Sequence, residues 1–301
     1  MNEPNFFIIG AAKCGTTALF DYLSQHPNTW CPFDKEPAYF AADYPQLQGI
    51  KSYPDYLKLF ADADDMNLVL GEASVIYLFS REAVPEIRRR YPDAKLIIMI
   101  RNPVDMVYSF HSQMMTTANE DEPDFEKAWR LQDERLQGRA IWSRCVVPEF
   151  LQYGKMGRLS RFIEPVLRIF PRAQIKIIVF DDMKENPQGV FNDVVEYLGL
   201  QPFDGVDFRV VNANRTHKSR LITGITTRLP KPGVRRLSAR LKQVLGLEHV
   251  AFRKLLARLN SREAPRKKLS AEFRRELVDY FADEVNELER ITERDLSHWR
   301  R

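Results

Sequence analysis

The chain has 301 residues, enough for one large α/β domain or two small ones, and its 44% hydrophobic and 29% charged content excludes a wholly disordered protein. The net charge of +4 is too small to indicate nucleic-acid binding. The three cysteines lack the spacing of metal ligands and favour a reducing compartment. The first residues lack the charge pattern of a signal peptide, and no apolar run approaches the roughly 20 residues of a membrane span. We therefore expect a cytoplasmic protein without a transmembrane segment.

Short apolar runs alternate with helical patterns along the first two thirds of the chain. The runs at 6–9, 68–70, 96–100 and 175–180 are rich in Ile, Val and Phe and lack alternation, as strands covered on both faces should. Helical spacing separates them, at 17–24, 54–60, 81–90, 104–114, 156–170 and 189–198. This order predicts a three-layer α/β sandwich around a central parallel sheet of about four or five strands.

The last third reads differently. Helical spacing at 239–259 and 269–289 predicts two amphipathic helices, the second with Ser270 as N-cap. We expect one domain over 1–301, with an α/β core at 1–227 and a helical part at 228–301. The segment 228–268 carries 13 Lys and Arg against two acids. It suits an anionic ligand, a membrane face or an acidic partner, and a solvated basic face is an equal alternative.

The sharpest motif follows the first predicted strand. Gly10 and Gly15 frame a loop that runs into a helix beginning with two threonines. Unpaired amides and a partial positive charge make a helix N-terminus an anion site. The spacing is P-loop-like but is not a Walker A motif, because Thr16 stands at the Walker lysine position and the lysine lies inside the loop, at Lys13.

A second motif follows the strand at 96–100. Arg101 leaves the carboxyl end of this strand, where α/β folds bind ligands, and Pro103 is suited to open a helix. Ser109 follows eight positions after Arg101. The planar fork of arginine can donate two parallel hydrogen bonds to phosphate oxygens, but many helices begin with such a turn, and taken alone it indicates an ordinary helix start.

Together these segments resemble the PAPS-dependent sulfotransferases, where PAPS is 3′-phosphoadenosine 5′-phosphosulfate. GAAKCGTTALFDYLSQHP is similar to the 5′-phosphosulfate loop of the heparan-sulfate-type branch and its soluble bacterial relatives. The resemblance implies PAPS as co-substrate, with Arg101 and Ser109 on its 3′-phosphate. It implies that the 5′-phosphosulfate is bound by Lys13, Cys14, Gly15, Thr16 and Thr17, with Lys13 also catalytic.

The resemblance also supplies a catalytic base. Glu36 lies in KEPAYF, which is similar to the family segment whose glutamate takes the acceptor proton. His26 and His111 do not fit the histidine motif of phenol-type members and are interpreted as structural. Ala73 stands between Glu72 and Ser74 where carbohydrate enzymes often have lysine. Either that lysine's role is lost, or Glu72 and Ser74 meet a different acceptor.

In the family, a basic loop late in the chain closes over the 3′-phosphate of the nucleotide. The resemblance implies this role for Lys218 and Arg220. The function expected is sulfuryl transfer from PAPS to a hydroxyl or amine of a carbohydrate or hydroxylated metabolite, without a metal and without nucleic acid. Two alternatives stay open: an ATP-dependent P-loop phosphotransferase, and a non-catalytic nucleotide-binding protein on the same fold. The acceptor and the oligomeric state are left open by the sequence.

Overall fold

The structure is a computed structural model that describes residues 2–33, 35–64, 69–209 and 268–301, and the backbone of two short strands at 215–217 and 261–263. The predicted helix at 239–259, nearly all of the basic segment 228–268, and Lys218 and Arg220 lie outside the described residues. Contacts within the chain separate two compact units. One comprises Met1–Val107, Gly154–Val211 and Ala271–Arg301, and the other Tyr108–Tyr153 and Asn212–Ser270. The single domain expected over 1–301 stays a prediction.

The first unit is built on a five-stranded parallel sheet, as predicted. The strands are β1 (Phe6–Gly10), β2 (Thr29–Trp30), β3 (Val69–Ala73), β4 (Lys95–Ile100) and β5 (Ile175–Val179), in the order β2-β3-β1-β4-β5. Every residue of β1 is buried, because this strand lies in the middle of the sheet and pairs with both β3 and β4. From β1 the chain crosses to β2 at one edge of the sheet, returns to β3 beside β1, and then passes to β4 and β5 on the other side. The connection after β1 and the connection after β4 therefore leave in opposite directions, so the carboxyl ends of these two strands form a topological switch point.

Helices flank this sheet and cover its apolar strands. α1 (Thr16–Leu23) packs with α10 (Pro187–Leu198), and α3 (Ala83–Arg90) packs with α8 (Ser160–Ile169). The other α-helices of the described residues are α2 (Tyr53–Leu57), α4 (Pro103–Thr116), α5 (Phe125–Arg130), α6 (Gln132–Leu136), α7 (Tyr153–Met156), α9 (Phe180–Glu185), α11 (Ala271–Tyr280) and α12 (Ala282–Thr292), of which α5 and α6 belong to the second unit.

Several predicted elements have different limits in the structure. The run 54–60 is α2 followed by a 3₁₀ turn, Lys58–Phe60, and the run 156–170 is divided between α7 and α8. The helix expected over 269–289 begins at Ala271, directly after Ser270, and divides at Phe281, whose backbone leaves helical geometry at ψ 9°. The predicted strand 68–70 is described from Val69 onwards and runs on to Ala73, through Gly71 and Glu72.

The second unit has a buried ion pair at its centre. Arg135 Nη2 lies 2.8 Å from Glu120 Oε1, and at most 1% of either side chain is exposed. Tyr153 donates its hydroxyl to Glu120 Oε2 at 2.7 Å. In the same unit, His111 Nε2 lies 2.8 Å from the carbonyl oxygen of Glu122, and burial is the largest effect on this imidazole, lowering its pKa. The charges of Arg135 and Glu120 are thus paired with each other, as buried charges must be.

Candidate active site

The loop after β1 has the backbone that its glycines predict. Gly15 is the N-cap of α1 and has φ of +94°, a left-handed conformation that glycine adopts without steric cost. A Cβ at Gly15 would lie 2.7 Å from Cδ2 of Phe180, so this position also needs glycine for close packing. No side chain caps α1 through its N-cap residue. The first turn of α1 therefore keeps the donor character that anion binding requires.

Lys13 lies in this loop with a left-handed backbone, at φ 65°. A left-handed lysine is sparsely populated and costs of order 1–3 kcal/mol, which the surrounding structure must supply. Ala11 N donates to the carbonyl oxygen of Met99 at 2.9 Å, which extends the pairing of β1 and β4 into the loop. The loop is thus anchored at the switch point of the sheet.

Arg101 holds the same loop from the end of β4. Its Nη1 donates to the carbonyl oxygen of Lys13 at 3.2 Å, and its guanidinium lies 4.9 Å from the centroid of the Phe180 ring. The two motifs, which are 88 positions apart in sequence, are therefore directly connected. Ser109 lies on α4 with 2% of its surface exposed, and its joint action with Arg101 stays a prediction.

Cys14, between Lys13 and Gly15, is fully buried. Its Sγ lies 3.5 Å from the carbonyl oxygen of Ala12. Burial raises the pKa of this thiol to about 12, although Arg101 and Lys13 oppose that change. Cys14 is therefore a neutral thiol near pH 7, and any ligand contact it makes would come from its backbone.

Glu36 is fixed beside the end of β3. Its amide donates to the carbonyl oxygen of Ala73 at 2.9 Å, and its Oε2 accepts from the amide of Val75 at 2.9 Å. Glu36 also has a left-handed backbone, with φ 65°, and 40% of its side chain is exposed. One oxygen of the carboxylate is thus hydrogen-bonded to the backbone, and the side chain remains partly open to solvent, which suits a group that must reach an incoming acceptor.

Lys35 is a site residue that the sequence reasoning missed. Its Nζ donates to Thr16 Oγ1 at 3.1 Å and to Thr17 Oγ1 at 3.2 Å, and it lies 3.1 Å from Glu36 Oε1. It therefore joins the helix start at α1 to the candidate base. Its place next to Glu36 in KEPAYF was the available signal, but a lysine beside a glutamate is usually a surface ion pair.

Glu72 and Ser74, on either side of Ala73, are both buried and hydrogen-bonded within the protein, and a contact of theirs with an acceptor stays a prediction. At most 1% of either residue is exposed. Glu72 accepts hydrogen bonds from three hydroxyls, at 2.7 Å from Tyr77, 2.8 Å from Ser74 and 3.1 Å from Tyr56. Burial raises the pKa of this carboxyl to about 7, against the lowering effect of those hydrogen bonds. The end of β3 is thus an internal polar network that supports the loop of Glu36 through Ser74 Oγ, which accepts from Ala38 N at 3.0 Å.

The two candidate histidines are bound to backbone. His26 is 3% exposed, and its ring nitrogens contact the carbonyl oxygen of Gln201 at 2.9 Å and the amide of Asn28 at 3.1 Å. His111 is equally buried. Both arrangements fit structural roles. Within the described residues there is no group of three or more His, Cys, Asp or Glu arranged to hold a metal ion, and no helix there is long and apolar enough to cross a membrane.

Comparison with known proteins decides the family. The model of the sulfotransferase domain family matches residues 3–214, more than half of the chain. The chain belongs to the sulfotransferase family. The resemblance to sulfotransferases found in the sequence is therefore confirmed, and the chain is a transferase. The alternative of an ATP-dependent phosphotransferase is not supported.

Relatives of this sulfotransferase include carbohydrate enzymes. It is 27% identical over 223 residues to a bovine bifunctional heparan sulfate N-deacetylase/N-sulfotransferase 2, and 28% identical over 199 residues to a mouse heparan sulfate glucosamine 3-O-sulfotransferase 3A1. Each match covers 66% of this chain but only 22% and 46% of those proteins. Human carbohydrate sulfotransferase 15 is 25% identical, over 83% of this chain and 54% of its own.

A solved bacterial structure has the same fold. The sulfotransferase from Alicyclobacillus acidocaldarius matches with a TM-score of 0.72 and 26% identity, over the whole of both chains. The central parallel sheet flanked by helices is therefore the sulfotransferase fold, as the sequence predicts.

Proposed function

We propose that this sulfotransferase moves a sulfuryl group from PAPS to a hydroxyl or amine of a carbohydrate acceptor. The observation that carries the proposal is the meeting of Lys13, Arg101 and Glu36 at one edge of the sheet: Arg101 holds the loop of Lys13, and Lys35 joins Glu36 to the same helix start. The family implies PAPS as donor, and the carbohydrate relatives support a sugar acceptor.

The residues of the loop fit the donor. Gly15 brings the backbone of the α1 start close to a ligand, and the hydroxyls of Thr16 and Thr17 lie at that start to contact the 5′-phosphate. Arg101, with Ser109, would bind the 3′-phosphate through charge-assisted hydrogen bonds. PAPS supplies an activated sulfuryl group, and the protein has to orient it and stabilise the charge that develops.

The sulfuryl group passes directly from donor to acceptor, without a covalent enzyme intermediate. A bond forms between the acceptor oxygen or nitrogen and sulfur, and the bond between sulfur and the oxygen shared with the 5′-phosphate breaks. Glu36 takes the acceptor proton, and Lys13 stabilises the negative charge on the departing phosphate oxygen. The products are the sulfated acceptor and adenosine 3′,5′-bisphosphate.

Calorimetric titration and an acceptor screen test this proposal. Adenosine 3′,5′-bisphosphate should bind at least about a hundredfold more tightly than AMP, because charge-assisted bonds to the 3′-phosphate contribute roughly 1.5–3 kcal/mol each. Arg101→Ala should remove most of that preference. Mass spectrometry of carbohydrate pools incubated with PAPS should show sulfated products. Equal affinity for the two nucleotides would contradict the proposal, and tight binding without turnover on any acceptor would favour the non-catalytic nucleotide-binding alternative.

A further inference from the structure

Lys35 occupies a position that an isolated surface lysine would not take. Only 17% of its side chain is exposed, although lysine carries strongly hydrated charge. Its Nζ contacts Thr16 Oγ1, Thr17 Oγ1 and Glu36 Oε1, at 3.1, 3.2 and 3.1 Å. An ammonium group has three protons to donate and accepts nothing, so these three contacts match its full donor capacity.

These contacts determine the direction of the two threonine hydroxyls. Each hydroxyl has one proton to donate and accepts through its lone pairs. Because Thr16 and Thr17 accept from Lys35, their own protons are directed elsewhere, and both residues lie at the first turn of α1. Lys35 thereby presents two hydroxyl donors at a helix start where the partial charge is already positive.

The same ammonium is the local cation for Glu36. The amide of Glu36 is hydrogen-bonded to the end of β3, where the neutral side chain of Ala73 supplies no positive charge. Lys35 Nζ is the cation at hydrogen-bond distance from the carboxylate expected to receive the acceptor proton, and it also contacts the two hydroxyls expected to bind the donor. A dianionic 5′-phosphosulfate at the hydroxyls would compete with Glu36 for this ammonium, because it carries more charge than one carboxylate.

We propose that Lys35 is a donor-binding residue of this sulfotransferase, which contacts the 5′-phosphosulfate and exchanges Glu36 for it when the donor binds. The inference rests on the proposed function. It adds a second lysine beside Lys13 on the 5′ side of the donor. It also makes Glu36 free of its ion pair only when donor is present, so that the base becomes available after donor binding.

Titration with two nucleotides that differ only in the 5′-phosphate tests this role. The ratio of the affinities for adenosine 3′,5′-bisphosphate and adenosine 3′-monophosphate measures what the 5′-phosphate contributes. Lys35→Met should reduce this ratio by at least about tenfold, equivalent to about 1.4 kcal/mol, and leave the affinity for adenosine 3′-monophosphate unchanged. Lys35→Gln, which keeps a polar side chain, should give the same result if the Met variant unfolds.

Lys58→Met is the matched control, because Lys58 also pairs with a carboxylate, Asp55 at 2.7 Å, but 74% of its side chain is exposed. Its nucleotide ratio should equal that of the wild type. An unchanged ratio in both Lys35 variants would overturn the inference and leave the proposed function intact. A wild-type protein that binds both nucleotides equally would instead overturn the proposed function, and with it this inference.

Discussion

At the scale of single residues, Lys13 is the first test of the chemistry. Lys13→Ala should lower turnover about 10²–10³-fold, because removing one preorganised donor costs about 2.7–4 kcal/mol of transition-state stabilisation. Turnover with PAPS at saturating acceptor is the measurement. Lys51→Ala, at an exposed lysine, is the control and should keep full activity. Normal turnover in Lys13→Ala would remove this lysine from the mechanism.

Glu36 provides the second test of the proposed chemistry. Glu36→Gln preserves the shape of the side chain and its bond from the amide of Val75 but removes the basicity, so turnover should fall by about 10²-fold or more. The rate should be measured with donor and acceptor both saturating, so that the change is one of kcat. Glu82→Gln, at an exposed glutamate, should have no effect. A fully active Glu36→Gln variant would show that another group takes the proton.

The sequence identifies residues at this scale unevenly. Lys13, Gly15 and Arg101 were found because glycine spacing and the end of a strand have direct structural consequences. Lys35 was missed because its role depends on Thr16 and Thr17, which are 19 and 18 positions away, and no local pattern encodes that contact. The burial of the Glu72 carboxyl was not predicted for the same reason: the tyrosines whose hydroxyls donate hydrogen bonds to it come from the turn after β3 and from α2.

At the scale of elements, the start of α1 depends on one glycine. Gly15→Ala should destabilise the fold by roughly 2–5 kcal/mol, from about 1–2 kcal/mol of left-handed strain and 1–3 kcal/mol of overpacking against Phe180. Nucleotide binding should be lost as well, since the loop of Lys13 would shift. Urea unfolding and calorimetry measure the two effects.

Gly138→Ala separates strain from overpacking. Gly138 also has a left-handed backbone, at φ +76°, but a Cβ there would have no atom within 4 Å. This variant should lose only the strain contribution, about 1–2 kcal/mol, and keep its nucleotide affinity. Equal destabilisation by the two substitutions would show that the contact between Gly15 and Phe180 is unimportant.

The order of the main elements could be predicted because buried strands and amphipathic helices have distinct periods. The elements that were missed are short: among the described residues they include β2, with two residues, α6, with five, and α5 and α9, with six each. Among the described strands β2 pairs with β3 alone, and this pairing, rather than a pattern in two residues, defines it as a strand. The break at Phe281 was also not visible, because the apolar stripe of α11 continues into α12 without interruption.

At the scale of the whole molecule, Glu72 makes stability depend on pH. Its folded pKa, about 7, lies above the ordinary 4.5, so the folded protein keeps a proton that the unfolded chain releases in this interval. The folded state therefore loses stability as pH rises from about 4.5 to 7, by at most about 3.4 kcal/mol at 1.36 kcal/mol per pKa unit. Glu72→Gln should abolish that loss, measured by urea unfolding at pH 5 and pH 8.

Glu86 provides the control for this window. Hydrogen bonds from Arg89 and Arg90 lower the pKa of Glu86 to about 2, so its contribution is lost only as pH falls below 4.5. Glu86→Gln should leave the change between pH 5 and pH 8 as in the wild type. A Glu72→Gln variant with the wild-type slope would show that other groups titrate in this interval.

The central position of β1 has a consequence for how the protein is made. β1 leaves the ribosome before both of its neighbours, which begin at Val69 and Lys95. At 5–20 residues per second, roughly 4–17 s pass between synthesis of Gly10 and of Lys95. β3 is complete at Ala73 and is available to one side of β1 before this interval ends, whereas the side of β1 that pairs with β4 has no partner strand until Lys95 and the residues after it are made. The loop of Lys13, whose Ala11 amide bonds to Met99, can form only after β4 has joined, so nucleotide can assist only the late steps of folding.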